Sequence, residues 1–138
     1  MSTVKNAVCR LAILLVLLFF LSGCHLFTEG KRVLNLYCPG LRVDIGGVSY
    51  SANGARDFYV LSYDRSFQKQ VQTYFAKKEN NFTEVKDGDL FDLEMDDEAV
   101  IDKTDSIVGK TIDQRKGKAE VVFNQTTRRI IIVEYSEK

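Results

Sequence analysis

The sequence predicts an all-β fold, an antiparallel β-sandwich of about eight strands. Apolar and polar residues alternate with a period of two in many short runs, as in strands with one buried face. Clusters of Gly, Asn and Asp separate the runs, which is typical of turns between antiparallel strands. No segment after residue 31 shows a clear helical stripe. Residues 67–78 come closest, but their apolar positions also fit a strand.

The individual strands are predicted from this alternation. In one run Phe91 and Leu93 alternate with charged residues, an arrangement that a helix would not place on one clean face. Residues 130–133 are apolar on both faces, which favours a central strand. The predicted strands are residues 34–38, 41–45, 57–63, 68–75, 89–95, 107–112, 118–123 and 128–135.

The first 23 residues have the organisation of a signal peptide, which we expect to be helical. Lys5 and Arg10 supply positive charge, and residues 11–21 are almost entirely apolar. This run is too short for a comfortable transmembrane helix, which needs roughly 20 residues. An uncleaved signal anchor is the alternative.

The apolar run ends in Leu21-Ser22-Gly23-Cys24, which resembles the lipobox of bacterial lipoproteins. The resemblance implies that the Cys24 thiol carries diacylglycerol, that signal peptidase II cleaves before it, and that its new amine is acylated, for instance with palmitate. Two or three acyl chains anchor a protein stably in a membrane. The resemblance therefore divides the chain into a signal peptide (1–23), a lipid-anchored tether (24–31) and a β-sandwich domain (32–138).

Residue +2 after the lipidated cysteine is His25 rather than Asp. By similarity to enterobacterial lipoproteins, where Asp at this position retains the protein in the inner membrane, His25 favours the outer membrane, with the domain facing the periplasm.

Composition excludes several functional classes. His25 is the only histidine and lies in the tether, so Ser-His and Cys-His nucleophilic sites are ruled out. With Cys9 in the signal and Cys24 lipidated, Cys38 has no partner for an intrachain disulfide, and we expect it to be a small buried residue. The 19 basic and 19 acidic residues balance, so a nucleic-acid partner is not indicated. We expect no enzymatic activity.

Acidic residues predominate between Glu84 and Asp105. Carboxylates that converge from one loop repel one another unless a cation lies among them. Three interpretations remain open: a calcium site, a solvated acidic loop, and a docking surface for a basic partner.

The segment Phe91-Asp-Leu-Glu-Met-Asp-Asp-Glu98, followed by Ser-Ile-Val-Gly-Lys110, is similar to the second half of C-two domains, the calcium- and lipid-binding β-sandwiches. Asp57-Phe-Tyr-Val60 resembles the Asp-Pro-Tyr-Val of the same family, with Phe58 in place of Pro. No carboxylate occupies the family's earlier ligand position near Ser51. The resemblance implies a C-two-like sandwich and places calcium ligands at Asp57, Asp96, Glu98 and Asp105, with Asp97 or Asp102 as a spare.

Together these features predict a membrane-anchored bacterial lipoprotein whose β-sandwich is a non-enzymatic interaction module of the cell envelope, with weak calcium binding as an added expectation. Its partner would be an envelope protein or a lipid surface. The alternative is a structural component of an envelope assembly, like the small sandwich lipoprotein of type VI secretion systems.

Overall fold

The computed structural model describes residues 2–85, 105–114 and 117–136. A long helix precedes the sheet, and a short helix is inserted after the second strand. The helices are α1 (Ser2–Tyr37) and α2 (Gln68–Ala76), with 3₁₀ turns at Arg65–Phe67 and Lys78–Asn80. The strands are β1 (Ile45–Asn53), β2 (Arg56–Tyr63), β3 (Thr83–Glu84), β4 (Ile107–Gln114), β5 (Gly117–Asn124) and β6 (Arg129–Ser136).

The strands form one six-stranded sheet in the order β1-β2-β6-β5-β4-β3, and every neighbouring pair is antiparallel. β1 and β2 are joined by a tight turn in which Gly54 has a φ of +62°, a conformation that glycine adopts without strain. The last strand, β6, lies between β2 and β5. It therefore joins the β1–β2 hairpin to the β4–β5 hairpin.

The prediction of a sheet-rich fold is confirmed, and four of the predicted strands are present. Residues 57–63, 107–112, 118–123 and 128–135 fall almost entirely within β2, β4, β5 and β6. The prediction that residues 130–133 form a central strand is also confirmed, because all four are buried in β6 on alternating faces.

Two predicted strands are helical instead. Leu34 and Cys38 fit a period of two, but four residues is also about one helical turn, and the Cys38 amide donates to the Leu34 carbonyl over 2.8 Å. In α2, Val71 and Phe75 are likewise four residues apart, and both are buried against the sheet. The predicted strand at residues 41–45 is irregular up to Ile45, where β1 begins.

The described residues form one sheet covered by helices, whereas the sequence predicts two packed sheets of about eight strands. The predicted strand at residues 89–95 lies outside the described residues. β1, for its part, was not predicted, because Gly46, Gly47 and its serines break the apolar alternation.

The core between the helices and the sheet is built on one sheet face. Val33, Leu34 and Tyr37 of α1 and Val71 and Phe75 of α2 pack there. The Phe75 ring stacks on Phe123 at a centroid distance of 4.5 Å and meets Phe82 edge to face at the same distance. Burial of side chains of this size stabilises the fold by about 1.5–3 kcal/mol each. Together these contacts hold α2 and the end of α1 against the sheet.

The opposite sheet face is also apolar and buried. Its cluster consists of Phe58, Ile107, Val122, Ile131 and Val133, none more than 5% exposed. β5 and β6 alternate between the two clusters, so both strands are apolar along most of their length. A polar group in the buried parts of these strands, residues 119–124 and 130–133, is therefore taken out of water whichever way it points.

Candidate functional site

The proposed lipidation position, Cys24, lies within α1. The helix changes character along its length. Nine large apolar side chains in its first half are each between 53% and 67% exposed: Val4, Val8, Leu11, Ile13, Leu14, Leu15, Val16, Leu17 and Leu18. Burial begins at Gly30. Cys24 thus lies between the exposed apolar residues 4–18 and the buried part of the helix that begins at Gly30.

A search of the described helices for a stretch long and apolar enough to cross a membrane finds none.

Residues 30–37, here called the docked end of α1, contact the sheet closely. A Cβ atom on Gly30 would lie 2.7 Å from Cγ2 of Val48 and 3.2 Å from Cδ2 of Leu61, so the helix approaches the sheet at the position where it has no side chain. Gly30 follows Cys24 by six positions, a helical rise of about 9 Å. The residues expected to form a tether are helical, and the predicted anchor point lies near the domain surface.

Polar contacts hold the same helix to β6. The Tyr37 hydroxyl donates a hydrogen bond to Glu134, and Nη2 of Arg32 lies 3.4 Å from Oε1 of the same carboxylate. Arg32 also pairs with Glu29 one turn earlier, over 2.9 Å. Burial, followed by the hydrogen bond to Glu134, raises the pKa of Tyr37 to about 12, so the hydroxyl stays protonated and remains a donor. These contacts fix the rotation of the helix on the sheet.

The two predicted calcium ligands that the structure describes are far apart. In the strand register Asp57 of β2 pairs with Glu134 of β6. Glu134 pairs with Ala119 of β5, which in turn pairs with Ile112 of β4. Asp105 precedes β4, seven residues before Ile112, or about 20 Å along an extended strand. The register thus places the two carboxylates at opposite ends of the sheet.

Both carboxylates have protein partners. Asp57 accepts a hydrogen bond from the Tyr50 hydroxyl over 2.8 Å, and Asp105 accepts one from Nδ2 of Asn124 over 2.9 Å. Asp96 and Glu98, like the spare positions Asp97 and Asp102, lie outside the described residues. Within the described ranges no three His, Cys, Asp or Glu side chains are grouped closely enough to hold a metal ion. Calcium binding therefore stays a prediction.

The sequence analysis missed a buried polar group that we call the Glu120 cluster: Arg56, Lys118, Glu120 and Tyr135. Glu120 is 1% exposed and lies on the sheet face of Val122. The Tyr135 hydroxyl donates to Oε2 of Glu120 over 2.7 Å, and Nζ of Lys118 lies 3.7 Å from Oε1. The available signal was an acidic residue inside the apolar run 119–123.

Two cations flank the ring of Tyr135 in this cluster. Nζ of Lys118 lies 4.7 Å from the ring centroid and Cζ of Arg56 lies 5.3 Å from it, both within cation–π distance. Burial, with the hydrogen bond to Glu120, raises the pKa of Tyr135 to about 12. Because the hydroxyl keeps its proton at neutral pH, it remains a hydrogen-bond donor to the Glu120 carboxylate, and this bond joins β5 to β6.

Comparison of the chain with protein-family models, with curated proteins and with solved structures finds no match in any of the three. The functional argument therefore rests on the residues of this chain.

Proposed function

We propose that this chain is the precursor of a membrane-anchored bacterial lipoprotein and that its sheet domain is a non-enzymatic interaction module of the cell envelope. The observation that carries the proposal is the position of Leu21-Ser22-Gly23-Cys24, at the end of an exposed apolar half-helix and a few residues before the docked end of α1. An apolar segment whose described large side chains, between residues 4 and 18, are each more than half exposed suits export and removal. A thiol at its end suits attachment of lipid.

The helical connection between Cys24 and the sheet also determines how the domain would lie relative to the membrane. A lipid on Cys24 would sit at the start of a helix that Tyr37 and Arg32 tie to the sheet, with no flexible linker between them. A helix of this kind transmits the position of the anchor to the domain. The domain would lie close to the membrane surface and in a defined orientation, which suits contact with a lipid surface or with an envelope protein at membrane level.

Metabolic labelling with a palmitate analogue tests the anchor. The chain offers a matched control, because Cys9 lies in the same helix upstream of the predicted cleavage point. We expect Cys24→Ser to abolish labelling and to leave the precursor at full mass, since a hydroxyl forms no thioether. We expect Cys9→Ser to be labelled and cleaved like the wild type. Label retained by Cys24→Ser, or lost equally from both variants, would falsify the lipoprotein assignment.

The location and the interaction role need separate measurements. When inner and outer membranes are separated on a density gradient, we expect the wild-type protein in the outer-membrane fraction. The reason is that His25, rather than Asp, follows the proposed lipidated cysteine. A photo-crosslinking residue at the exposed positions of Leu36 and Tyr50 should capture an envelope protein or a lipid in living cells. If neither position yields a Cys24-dependent crosslink, the interaction role is contradicted while the anchor stands.

A further inference from the structure

A cavity of about 500 Å³ lies at the end of the sheet where β2 ends and β6 begins. Ser62 and Arg129 face each other there across the β2–β6 pairing. The lining residues are Ser62, Tyr63, Arg65, Thr127, Arg128 and Arg129. Three of these six lining residues are arginines, three carry a hydroxyl, and none is acidic. We call it the arginine cavity.

The carboxylate next to the cavity residues in sequence, Asp64, already has a structural partner. Asp64 lies between Tyr63 and Arg65, and its side chain accepts a hydrogen bond from the Ser66 amide at the start of the 3₁₀ turn. Arg65 and Arg128 form no ion pair among the described residues. Two guanidinium groups without a counterion in the described part of the chain attract anions.

Tyr63 gives an independent indication of a ligand. The residue is 9% exposed, and its hydroxyl is buried without a hydrogen-bond partner among the described residues. Buried hydroxyls almost always have partners, so an unpartnered one calls for an explanation such as a missing ligand. The positive charge of Arg128 reaches this hydroxyl, where it opposes the rise in pKa caused by burial. Tyr63, whose hydroxyl lacks an acceptor among the described residues, and Arg128, which forms no ion pair there, thus line the same cavity.

The backbone at Arg128 is unusual for an arginine. Its φ is 59°, in the left-handed region where glycine and asparagine are the common residues. The turn is fixed by Asn124, whose Oδ1 accepts hydrogen bonds from the amides of Thr126 and Thr127. Strained backbone conformations persist only where the surrounding structure holds them, and they cluster at ligand-binding sites. The left-handed φ of Arg128 therefore supports a binding role for this turn.

We propose that the arginine cavity binds a phosphate group. Planar guanidinium groups donate paired hydrogen bonds to phosphate oxygens, and a phosphate carries enough charge and acceptors for Arg65, Arg128 and the Tyr63 hydroxyl together. A carboxylate offers only two acceptor oxygens and a single charge, fewer than a phosphate group. The phosphate belongs either to a lipid headgroup or to a free phosphate compound. The proposal is independent of the lipid anchor on Cys24.

The test measures phosphate binding by purified full-length protein in non-ionic detergent. Thermal melts are recorded with inorganic phosphate, with sn-glycerol 3-phosphate, with a short-chain phosphatidylglycerol and with chloride at equal ionic strength. We expect the phosphate compounds to raise Tm above the chloride baseline. A larger shift with phosphatidylglycerol than with either soluble compound assigns a lipid headgroup, and an equal or larger shift with inorganic phosphate or sn-glycerol 3-phosphate assigns a free phosphate compound.

Three variants identify the site. Arg128→Gly removes the guanidinium and relieves the left-handed φ, so unliganded Tm should not fall while phosphate affinity falls about tenfold or more. Tyr63→Phe should leave unliganded Tm unchanged or higher and still weaken phosphate binding. The control Arg42→Gln removes an exposed cation elsewhere and should bind phosphate like the wild type.

The proposal is overturned if phosphate shifts the wild-type Tm no more than chloride, or if Arg128→Gly and Arg42→Gln respond alike. If Arg128→Gly does not fold, Tyr63→Phe decides the matter: undiminished phosphate affinity in that variant rejects the site.

Discussion

The hydroxyl of Tyr135 donates a hydrogen bond to the buried carboxylate of Glu120 over 2.7 Å, between two strands that are apolar on both faces. The pair shows how the central strands tolerate a charge: the tyrosine supplies a donor, and Lys118 supplies a counter-charge 3.7 Å away. Removing one member of such a pair leaves the other buried without its partner, which costs about 1–3 kcal/mol.

The first prediction concerns pH. Burial raises the pKa of Glu120 above its ordinary value of 4.5. The folded state therefore binds the proton more tightly than the unfolded state, and this contribution to stability is present below pH 4.5 and lost as pH rises through the raised pKa. Glu120→Gln keeps an acceptor for Tyr135 and cannot ionise. Relative to the wild type, its free energy of unfolding should increase as pH rises.

Urea unfolding at pH 4.5 and at neutral pH measures this effect. The chain has no Trp and six Tyr, so Tyr fluorescence is the probe. The exposed substitution Glu79→Gln serves as the control and should follow the wild type at both pH values. A constant difference between Glu120→Gln and the wild type at the two pH values would contradict the prediction.

The second prediction concerns the close approach of α1 to the sheet. At Gly30 the Cγ2 atom of Val48 would lie 2.7 Å from any added Cβ, and Val48 is β-branched and has little freedom to move away. Gly30→Leu should therefore lift the helix and lower the free energy of unfolding by about 1–3 kcal/mol, the usual range for overpacking. The exposed substitution Asn35→Ala on the same helix should cause no loss. Equal stability of the two variants would show that the helix is not docked tightly.

The sequence predicted the strands whose apolar alternation is complete and missed the elements that depend on tertiary packing. β4, β5 and β6 alternate strongly enough to be recognised without a structure. Residues 34–38 do not distinguish strand from helix, because Leu34 and Cys38 share a face in either. Leu36 decides between them: it is 53% exposed, as a helix allows, while Leu34 and Tyr37 are buried.

The candidate sites divide in the same way. The proposal of lipidation at Cys24 rests on four consecutive residues, because the motif that they resemble is local in sequence, and it stays a prediction. The Glu120 cluster and the arginine cavity each combine residues from β2, β6 and their neighbours, and only the sheet register brings these residues together. Register also separates Asp57 from Asp105, which no local motif could have indicated.

The third prediction concerns Cys38, which the sequence predicted to be a small buried residue and which is 0% exposed. Burial raises the pKa of its thiol to about 12. The thiolate is the reactive form, so its fraction near pH 8 falls about a thousandfold relative to a free cysteine. In a variant with Cys9→Ser and Cys24→Ser, we expect a maleimide to modify Cys38 only after the protein is unfolded in urea. Rapid modification of the native protein would mean that the docked end of α1 opens readily.

The last prediction concerns Asn124, which holds the β5–β6 turn. The side chain is 1% exposed and makes three hydrogen bonds: Nδ2 donates to Asp105 over 2.9 Å, and Oδ1 accepts from the amides of Thr126 and Thr127, each over 3.1 Å. Asn124→Ala removes all three and leaves two amides without an acceptor. We expect it to lower the free energy of unfolding by roughly 2–3 kcal/mol. Gln125→Ala in the same turn should change it by less than about 0.5 kcal/mol.

A second substitution at this position separates the two functions of the amide group. Asn124→Asp retains an oxygen for the turn amides but places a carboxylate against Asp105. Because two neighbouring carboxylates raise each other's pKa, the repulsion is strongest at neutral pH and disappears when one of them is protonated. In urea unfolding, Asn124→Asp should be destabilised at pH 7 and recover toward the wild type near pH 4, whereas Asn124→Ala should remain destabilised at both. If Asn124→Asp shows no recovery at low pH, the contact with Asp105 does not contribute to stability and the turn amides account for the whole effect.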